Sequence, residues 1–458
     1  MSSAVSNGIC SALRSRVESL SEGNLLLVGG GTAGEVLVRY LYSLLHYLYM
    51  PVVFARLLLR SRENLAYRQD IKQRLGHGAQ IAATGPVIWV HAVSVGEVQA
   101  AIPMVRLFEA HWPEATIVWT TTTPTGRDRV LGTFGADALH QYVPYDLPSA
   151  VSRFLNRVNP SLAVVLETEI WPNLLHQCNA RSIPIILANA RLSAQSAKGY
   201  GRVRGLIEPA VKTFAAVAAQ TEPDAERLVG LGIAPERVVV TGSLKFDVSL
   251  PPSTQEAGAA LRHRWGSERS VWIASSTHDG EEEVVLDAFS EIQRQHPDAL
   301  LVLVPRHPER FARVAALCVR RKFAVARRSE ADEAPRNVDV FVGDTMGELP
   351  IFYAASDVAF VGGSLVPIGG HNMLEPAALG MPVLLGPYLH NFAEIGERLF
   401  NEGAAFPVGG ADDLAEQVVR FFRDPNLRHS VGERGKCFVA ENRGARERVM
   451  GLITPHLK

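Results

Sequence analysis

Short apolar runs alternate with longer stretches of mixed polarity from residue 86 onward. The first half of the chain contains the runs "VIWVHAV", "TIVWTTTT", "LAVVLE", "IPIILANA", "FAAVAAQ" and "RVVVTGS", and the second half contains "VWIASST", "LLVLVPRH", "DVFVGDT", "VAFVGGS" and "PVLLGP". Continuous apolar runs of this length, separated by helix-like stretches, are typical of buried strands in βαβ units. The pattern predicts an α/β protein with two doubly wound, Rossmann-like parallel sheets facing a cleft, with ligands at the carboxyl ends of the strands.

A change of composition separates the two series of strands. Residues 248–259, "VSLPPSTQEAGA", contain two prolines and small residues without a strong pattern, which indicates a linker. We therefore predict an N-terminal domain over 63–247 and a C-terminal domain over 260–425.

The segment before the first domain is apolar and basic. Residues 36–60 read "VLVRYLYSLLHYLYMPVVFARLLLR", close to the roughly 20 apolar residues that a membrane-spanning helix needs. Its tyrosines suit a membrane interface, and Arg56, Arg60, Arg62 and Arg68 suit an anionic cytoplasmic surface. We predict a membrane-anchor helix over 38–62, either lying in the interface or crossing once at a tilt. The alternative is an apolar helix packed on its own domain.

A glycine motif stands earlier still. In "LLLVGGGTAGE", residues 25–35, Gly29, Gly31 and Gly34 have the G-x-G-x-x-G spacing of a dinucleotide-binding turn. That motif needs an amphipathic helix and an acidic residue about 20 positions on. Here the glycines run into the apolar segment, and position 54 is Phe54, so we predict that the nucleotide binds elsewhere.

Composition, charge and cysteine spacing limit the kinds of protein that this chain can be. The chain has 458 residues, 47% hydrophobic and 20% charged, as in ordinary globular proteins. Lys and Arg number 46 against 47 Asp and Glu, a formal charge of -1, so nothing global argues for a nucleic-acid partner. The four cysteines are far apart and suggest neither a zinc site nor a disulfide framework.

Three residues of the first half stand where strands end. Glu97, in "SVGE", falls in the first turn of a helix, where it either accepts a proton or caps the helix. Glu167 ends the strand of "VVLETEIWP", and Lys245, in "TGSLKFD", ends another strand of the same half. A structural ion pair between Glu167 and Lys245 is the alternative to a functional role.

The second half offers groups that suit a phosphate. Arg306 follows a strand in "VPRHPERF", and a helix is predicted to begin at about Met346 in "GDTMGEL". The backbone N–H groups of Met346, Gly347 and Glu348 would then form an anion-binding helix start. In "GGHNMLEPA", Asn372 and Glu375 form either a capping box or a site for phosphate and ribose.

Ten motifs in order together resemble one family. "SVGE", "TPTG", "YDLP", "ETEIWPNL", "ANARLS", "TGSLKFD", "THDGEEE", "VPRHPERF", "GDTMGEL" and "GGHNMLEPA" are similar to those of the 3-deoxy-D-manno-octulosonic acid (Kdo) transferases, from about Tyr40 to near the C-terminus. The resemblance implies the two-domain GT-B glycosyltransferase fold, with C-terminal helices over 426–458. It also implies transfer of Kdo from CMP-Kdo to the glucosamine disaccharide of a tetraacyl lipid A precursor (lipid IVA) in lipopolysaccharide biosynthesis, at the cytoplasmic face of the inner membrane, without metal or other cofactor.

The resemblance also implies roles for individual residues. Glu97 matches the general base, and Glu167 and Lys245 match groups assigned to transition-state stabilisation. The CMP-binding positions match a larger set: Pro305, Arg306, Met346, Gly347, Glu348, Asn372, Met373, Leu374 and Glu375.

Residues 1–37 have no counterpart in the family, and they are either an extension or the result of a start codon assigned too early. Two rival functions stay open at this point. One is a nucleotide-sugar enzyme of different chemistry, such as an epimerase, and the other is a non-catalytic membrane scaffold.

Overall fold

The computed structural model describes residues 33–62, 65–248, 250–331 and 337–457. The chain divides into two compact units. Unit 1 comprises Met1–Thr241 and Glu447–Lys458, and unit 2 comprises Gly242–Arg446. Each unit is built on a seven-stranded sheet in which all paired strands are parallel.

The sheet of unit 1 has the strand order β3-β2-β1-β4-β5-β6-β7. Its strands are β1 Val87–His91, β2 Thr116–Thr121, β3 His140–Tyr142, β4 Leu162–Leu166, β5 Ile185–Ala190, β6 Ala216–Ala219 and β7 Val238–Val240. The helices are α1 Ala33–Arg60, α2 Val95–His111, α3 Pro124–Phe134, α4 Pro148–Val158, α5 Pro172–Ala180, α6 Ala194–Gly201, α7 Arg204–Val211 and α8 Glu222–Gly230. The strand order reverses between β1 and β4, so the loops after these two strands diverge to form a crevice suited to ligands.

The sheet of unit 2 repeats this plan with the order β10-β11-β9-β8-β12-β13-β14. Its strands are β8 Val271–Thr277, β9 Leu300–Pro305, β10 Val325–Arg327, β11 Val340–Val342, β12 Val358–Val361, β13 Val383–Leu385 and β14 Ala405–Pro407. The helices are α9 Ser253–Trp265, α10 Glu281–Gln295, α11 Phe311–Arg320, α12 Leu349–Ala354, α13 Leu374–Ala378, α14 Ala393–Asn401, α15 Ala411–Arg423 and α16 Pro425–Glu441; α17, Ala445–Ile453, begins in unit 2 and ends in unit 1. The reversal here lies between β8 and β12.

The two doubly wound parallel sheets confirm the predicted fold class. All eleven predicted runs contain a strand, while β3, β10 and β14 were not predicted. Each of these three has three residues and stands at the edge of its sheet. A short edge strand buries less side-chain surface than a central one, so it leaves no apolar run to detect.

The division between the units differs from the predicted linker. Unit 2 begins at Gly242, and residues 253–259 of the predicted 248–259 linker all belong to the first two turns of α9 rather than to an irregular segment. Thr254, Gly258 and Leu261 give α9 a buried face at helical spacing. The sequence "STQEAGA" is therefore the start of an amphipathic helix that its small residues obscure.

Helix α1 packs one side on unit 1 and leaves the other exposed. The Tyr42 hydroxyl donates to Asp146 Oδ2 at 3.0 Å, and the Ser43 hydroxyl donates to Asn173 Oδ1 at 3.1 Å. Further along, Met50 and Leu57 are each only 8% exposed. The outer side carries exposed apolar residues along the helix: Leu37, Tyr40, Leu41, Leu44, Leu45, Leu48, Tyr49, Val52, Leu58 and Leu59. By length and composition the helix is apolar enough to cross a membrane, with a mean hydropathy of 1.3 in its most apolar window.

The early glycine motif is only partly visible. Gly34 lies in the first turn of α1, whereas Gly29 and Gly31 lie outside the described residues.

A close approach between two backbone segments of unit 2 generates the first prediction. A Cβ atom added at Gly432 of α16 would lie 1.8 Å from the carbonyl oxygen of Gly380, whereas one added at Gly435 would meet Ala377 at 3.5 Å, an ordinary van der Waals distance. Gly432→Ala should therefore lower the free energy of unfolding by about 1–3 kcal/mol, since a backbone atom must move. Gly435→Ala, on the same helix, should leave it nearly unchanged or slightly raised. Denaturant unfolding of the two variants checks this; equal stabilities would contradict the packing at Gly432.

Candidate active site

Glu97 lies in the first turn of α2, directly after β1, and is 7% exposed. Its Oε2 accepts a hydrogen bond from the Val93 backbone N–H at 2.7 Å, and its Oε1 accepts one from the Ser94 hydroxyl at 2.9 Å. Ser94 is in turn the N-cap, accepting from the Glu97 backbone N–H. The capping interpretation is thus correct as a description of the contacts, which fix the carboxylate in one orientation.

The environment of Glu97 brings its pKa to about 7. Burial is the largest cause, and the charges of Glu167 and Glu169 raise the pKa further, while the bonds from Val93 and Ser94 lower it. A carboxylate with a pKa near neutrality is well matched to accept a proton at physiological pH. The same group therefore caps a helix and has the acidity of a general base.

Glu167 follows β4 immediately and has a left-handed backbone conformation, with φ 58°. Its backbone N–H donates to the Ala188 carbonyl oxygen at 2.9 Å, which holds the strand end in register with β5. For a residue with a Cβ this conformation costs of order 1 kcal/mol, and such positions are concentrated at functional sites. The switch between β1 and β4 brings Glu97 and Glu167 to the same crevice of unit 1.

Glu169 is a third carboxylate of this crevice, and the sequence reasoning did not single it out. The Trp171 indole N–H donates to its Oε2 at 2.6 Å. Burial, followed in effect by repulsion from Glu167, raises its pKa to about 7. The sequence does show Glu169 two residues after Glu167 in "ETEIWP". Spacing along the chain does not show, however, that the loop brings both carboxylates near Glu97.

Lys245 does not end a strand of the first sheet, contrary to the prediction. Strand β7 ends at Val240, and Lys245 lies in a 3₁₀ turn, Leu244–Phe246, within unit 2. Its ammonium group is 5.3 Å from the centroid of the Phe392 ring, a cation–π distance. The cause of the shift is Phe246, which packs into the core of unit 2 and carries the turn with it.

Arg306 stands at the carboxyl end of the second sheet, directly after Pro305, the last residue of β9. Its backbone N–H donates to the Thr277 carbonyl oxygen at 3.0 Å, while its side chain is exposed. The guanidinium charge lowers the pKa values of Glu375 and His371. Arg306 therefore lies among residues of the predicted nucleotide site and is free to contact an anion.

The turn at Met346–Glu348 differs from the predicted helix start. Helix α12 begins at Leu349 and has six residues, because Gly347 takes a left-handed conformation, φ 84°, which a helix cannot continue through. The Glu348 carboxylate pairs with the Arg328 guanidinium at 2.6 Å and accepts from the Thr345 hydroxyl. No described residue accepts a hydrogen bond from the backbone N–H of Met346, Gly347 or Glu348. The donors are thus available, although they belong to a turn and not to a helix.

The motif "HNMLEP" shows a variant of the predicted capping contact. Asn372 Oδ1 accepts from the Leu374 backbone N–H at 3.1 Å, and its Nδ2 donates to Glu375 Oε1 at 2.9 Å. Helix α13 follows with five residues; Met373, its N-cap, and Leu374, its first residue, are both fully buried. Burial raises the pKa of Glu375, which the Asn372 bond and Arg306 oppose. Asn372 thus connects the helix start to a carboxylate that retains one oxygen for other partners.

Glu281 is a site residue that the sequence reasoning missed. It is fully buried, and its two oxygens accept backbone N–H bonds from His278, Gly363, Ser364 and Leu365 at 2.8–3.1 Å. The carboxylate therefore joins the loop after β8 to the loop after β12, the two strands at the switch of unit 2. The signal was the acidic run in "THDGEEE", but an acidic run is usually a solvated helix start.

Comparisons with known proteins show the family and the fold. The family model described as 3-deoxy-D-manno-octulosonic-acid transferase (kdotransferase) matches residues 69–248, and the model for glycosyl transferases group 1 matches residues 277–438. Among solved structures, MurG of Acinetobacter baumannii is similar with a TM-score of 0.52 and 12% identity, covering 81% of this chain and 99% of its own. At that identity the likeness shows the fold alone, and it places the chain among GT-B-like proteins.

Two relatives fix the family. The 3-deoxy-D-manno-octulosonic acid transferase of Haemophilus influenzae is 40% identical over 422 residues, 92% of this chain and 99% of the relative. That of Bordetella pertussis is 38% identical over 392 residues, 83% of this chain and 89% of the relative. Similarity to Kdo transferases across most of the chain argues against both rival functions, the epimerase and the non-catalytic scaffold. The chain belongs to the Kdo transferase family of glycosyltransferases.

Proposed function

We propose that this Kdo transferase takes its sugar from CMP-Kdo and adds it to the glucosamine disaccharide of lipid IVA, with Glu97 as general base. The observation that carries the proposal is the Glu97 carboxylate, held in one orientation with a pKa of about 7 at the β1–β4 switch of unit 1. The identity of donor and acceptor rests on the family.

In the proposed reaction, a Glu97 carboxylate oxygen accepts the proton of an acceptor hydroxyl as that oxygen attacks the anomeric carbon of Kdo. The bond from this carbon to the phosphate oxygen breaks, its electron pair stays on the oxygen, and CMP leaves. Arg306 and the N–H groups of Met346–Glu348 offset the charge on the phosphate. Lys245 and Glu167 stabilise the transition state, and no metal ion takes part. Asn372 and Glu375 bind the nucleoside, with the buried Met373 and Leu374 holding their loop.

We further propose that α1 holds the enzyme on the cytoplasmic face of the inner membrane without crossing it. From Tyr42 to Leu57 the helix keeps one side on the protein, a stretch of about 22 Å at 1.5 Å per residue. That stretch cannot lie within a hydrocarbon core of about 30 Å while these contacts are kept. The exposed apolar side and the basic residues Arg56, Arg60 and Arg62 suit an interfacial helix on anionic lipid.

The central test replaces the base. Glu97→Gln should lower the rate of Kdo transfer from labelled CMP-Kdo to purified lipid IVA by about 10²–10⁴, because the acceptor hydroxyl loses its proton acceptor. Glu109→Gln, an exposed carboxylate on the same helix, is the matched control and should retain the wild-type rate. Near-normal transfer by the Glu97 variant would remove the base assignment, and no transfer by the wild-type protein would remove the donor and acceptor assignment.

The pH profile tests the base independently. Because Glu97 must be ionised, kcat/KM should fall about tenfold per pH unit below about 7. The Ser94 hydroxyl stabilises the charged form, so Ser94→Ala should raise the pKa of Glu97 and move this limb to higher pH. Glu167→Gln removes a like charge and should move it to lower pH. Shifts of the same sign in both variants would show that another group titrates.

The membrane assignment is tested by the exposed side of α1. Replacing Leu41, Leu45 and Leu48 together by Ser should reduce sedimentation with vesicles containing anionic lipid at least tenfold, because these side chains face away from the protein. Unfolding stability should hardly change. Wild-type protein should leave native membranes in alkaline carbonate, whereas retention there would show that the helix spans.

A further inference from the structure

Two histidines meet at the switch point of unit 2. His278 follows β8 and His371 lies in the loop after β12, and their Nε2 atoms are 2.7 Å apart with the ring planes within 8° of each other. Only one of these two nitrogens carries a proton in a neutral pair, and it donates to the other. The reversal of strand order between β8 and β12 is where an open α/β sheet binds its ligand.

Hydrogen bonds and close packing hold the loops that carry the two histidines. Glu281 accepts N–H bonds from His278 and from Gly363, and so fixes both loops. Gly363 has φ 69°, and a Cβ there would lie 3.0 Å from the His371 ring, so only glycine leaves room for the imidazole. The two rings are therefore held together by the loops rather than by chance surface contact.

The charges around the pair are mainly positive. The cationic or titratable groups that act on the two rings from neighbouring elements are Arg306, His307 and Arg310. The carboxylates nearby are engaged: Asp279 pairs with Arg310 and Arg313, Glu282 pairs with Arg310, Glu281 is bonded to backbone, and Glu375 is bonded to Asn372. Burial and the positive neighbours lower the pKa of His278 to about 4 and that of His371 to about 3, so both are neutral at pH 7.

We propose that the His278–His371 pair is an anion-binding element of the donor site that takes up a proton when a nucleotide sugar binds. The inference rests on the proposed function. The anion is either the nucleotide phosphate or the carboxylate of the sugar, both of which suit a cationic imidazole pair beside Arg306. Burial is the main cause that keeps the pair neutral, and the positive neighbours add to it; an incoming negative charge opposes both, and the added proton is shared between the two rings. Both are positioning residues for the donor.

Isothermal titration calorimetry of the full chain with CMP at pH 7.5 tests the proposal. At that pH the phosphate is already mostly a dianion, since its second pKa is about 6. In buffers of low and high ionisation enthalpy, the wild-type protein should take up a substantial fraction of one proton per CMP bound, and its affinity should fall from pH 7 to pH 9. Cytidine, which lacks the anion, should cause no uptake, and uptake with CMP-Kdo but not with CMP would assign the carboxylate as the anion.

Variants separate the pair from its neighbours. His278→Gln and His371→Gln should each lose most of the uptake and bind CMP at least tenfold more weakly at pH 7, the difference narrowing at pH 9 where the wild-type pair is neutral. His429→Gln, an exposed residue of α16, is the matched control and should behave as wild type.

The outcomes distinguish the two proposals. Binding of CMP and CMP-Kdo by the wild-type protein without proton uptake would overturn the role of the pair and leave the proposed function standing. No binding of either compound would overturn both. The wild-type measurement needs no variant, so a folding defect in either glutamine variant does not remove the test.

Discussion

The structure depends on buried carboxylates that bind the backbone N–H groups of loops at the carboxyl ends of parallel strands. A parallel sheet brings many loops to one edge, and their N–H groups need acceptors that no neighbouring strand supplies. In unit 1, Glu97 bonds the Val93 N–H, and Asp146 bonds the N–H groups of Asn173 and Leu174 at the start of α5. In unit 2, Glu281 bonds four such groups. Asp146 and Glu281 join segments that are distant in sequence, whereas Glu97 connects the end of β1 to the start of α2.

The other groups around each buried carboxylate determine how readily it accepts a proton. Asp146 accepts three hydrogen bonds and Glu281 accepts four, and these bonds oppose the rise in pKa that burial causes in both. Glu97 has two donors and two carboxylate neighbours, Glu167 and Glu169, so repulsion adds to burial and its pKa reaches about 7. Burial is thus common to the three carboxylates, and Glu97 differs in accepting fewer hydrogen bonds and in lying near two like charges.

The sequence predicts the central strands, because these lie in apolar runs, and it draws attention to candidate site residues in the motifs directly after those runs. Prediction from the sequence fails where the position of a residue depends on how distant segments pack together. Lys245 follows β7 closely in sequence, yet the packing of Phe246 assigns it to unit 2. The helix expected at Met346 begins three residues later, because Gly347 has a left-handed backbone conformation. A glycine can adopt this conformation, but its presence in the sequence does not predict it. Glu169, Glu281 and the histidine pair depend on contacts between loops of different strands, which spacing along the chain does not contain.

The switch points of the two sheets differ in charge. In unit 1 the β1–β4 crevice is acidic, and the pKa values of Glu97 and Glu169 are about 7, which suits the removal of a proton from an entering hydroxyl. In unit 2 the β8–β12 switch is basic, with Arg306 beside two imidazoles, which suits an anionic donor and a leaving group that gains negative charge. If one sheet edge held both sets, they would form ion pairs: the positive charge would lower the pKa of Glu97, and the Arg306 guanidinium would bind a carboxylate instead of a phosphate. Placing the two sets on separate sheets keeps the carboxylate basic enough to accept a proton and the cations free to receive the phosphate.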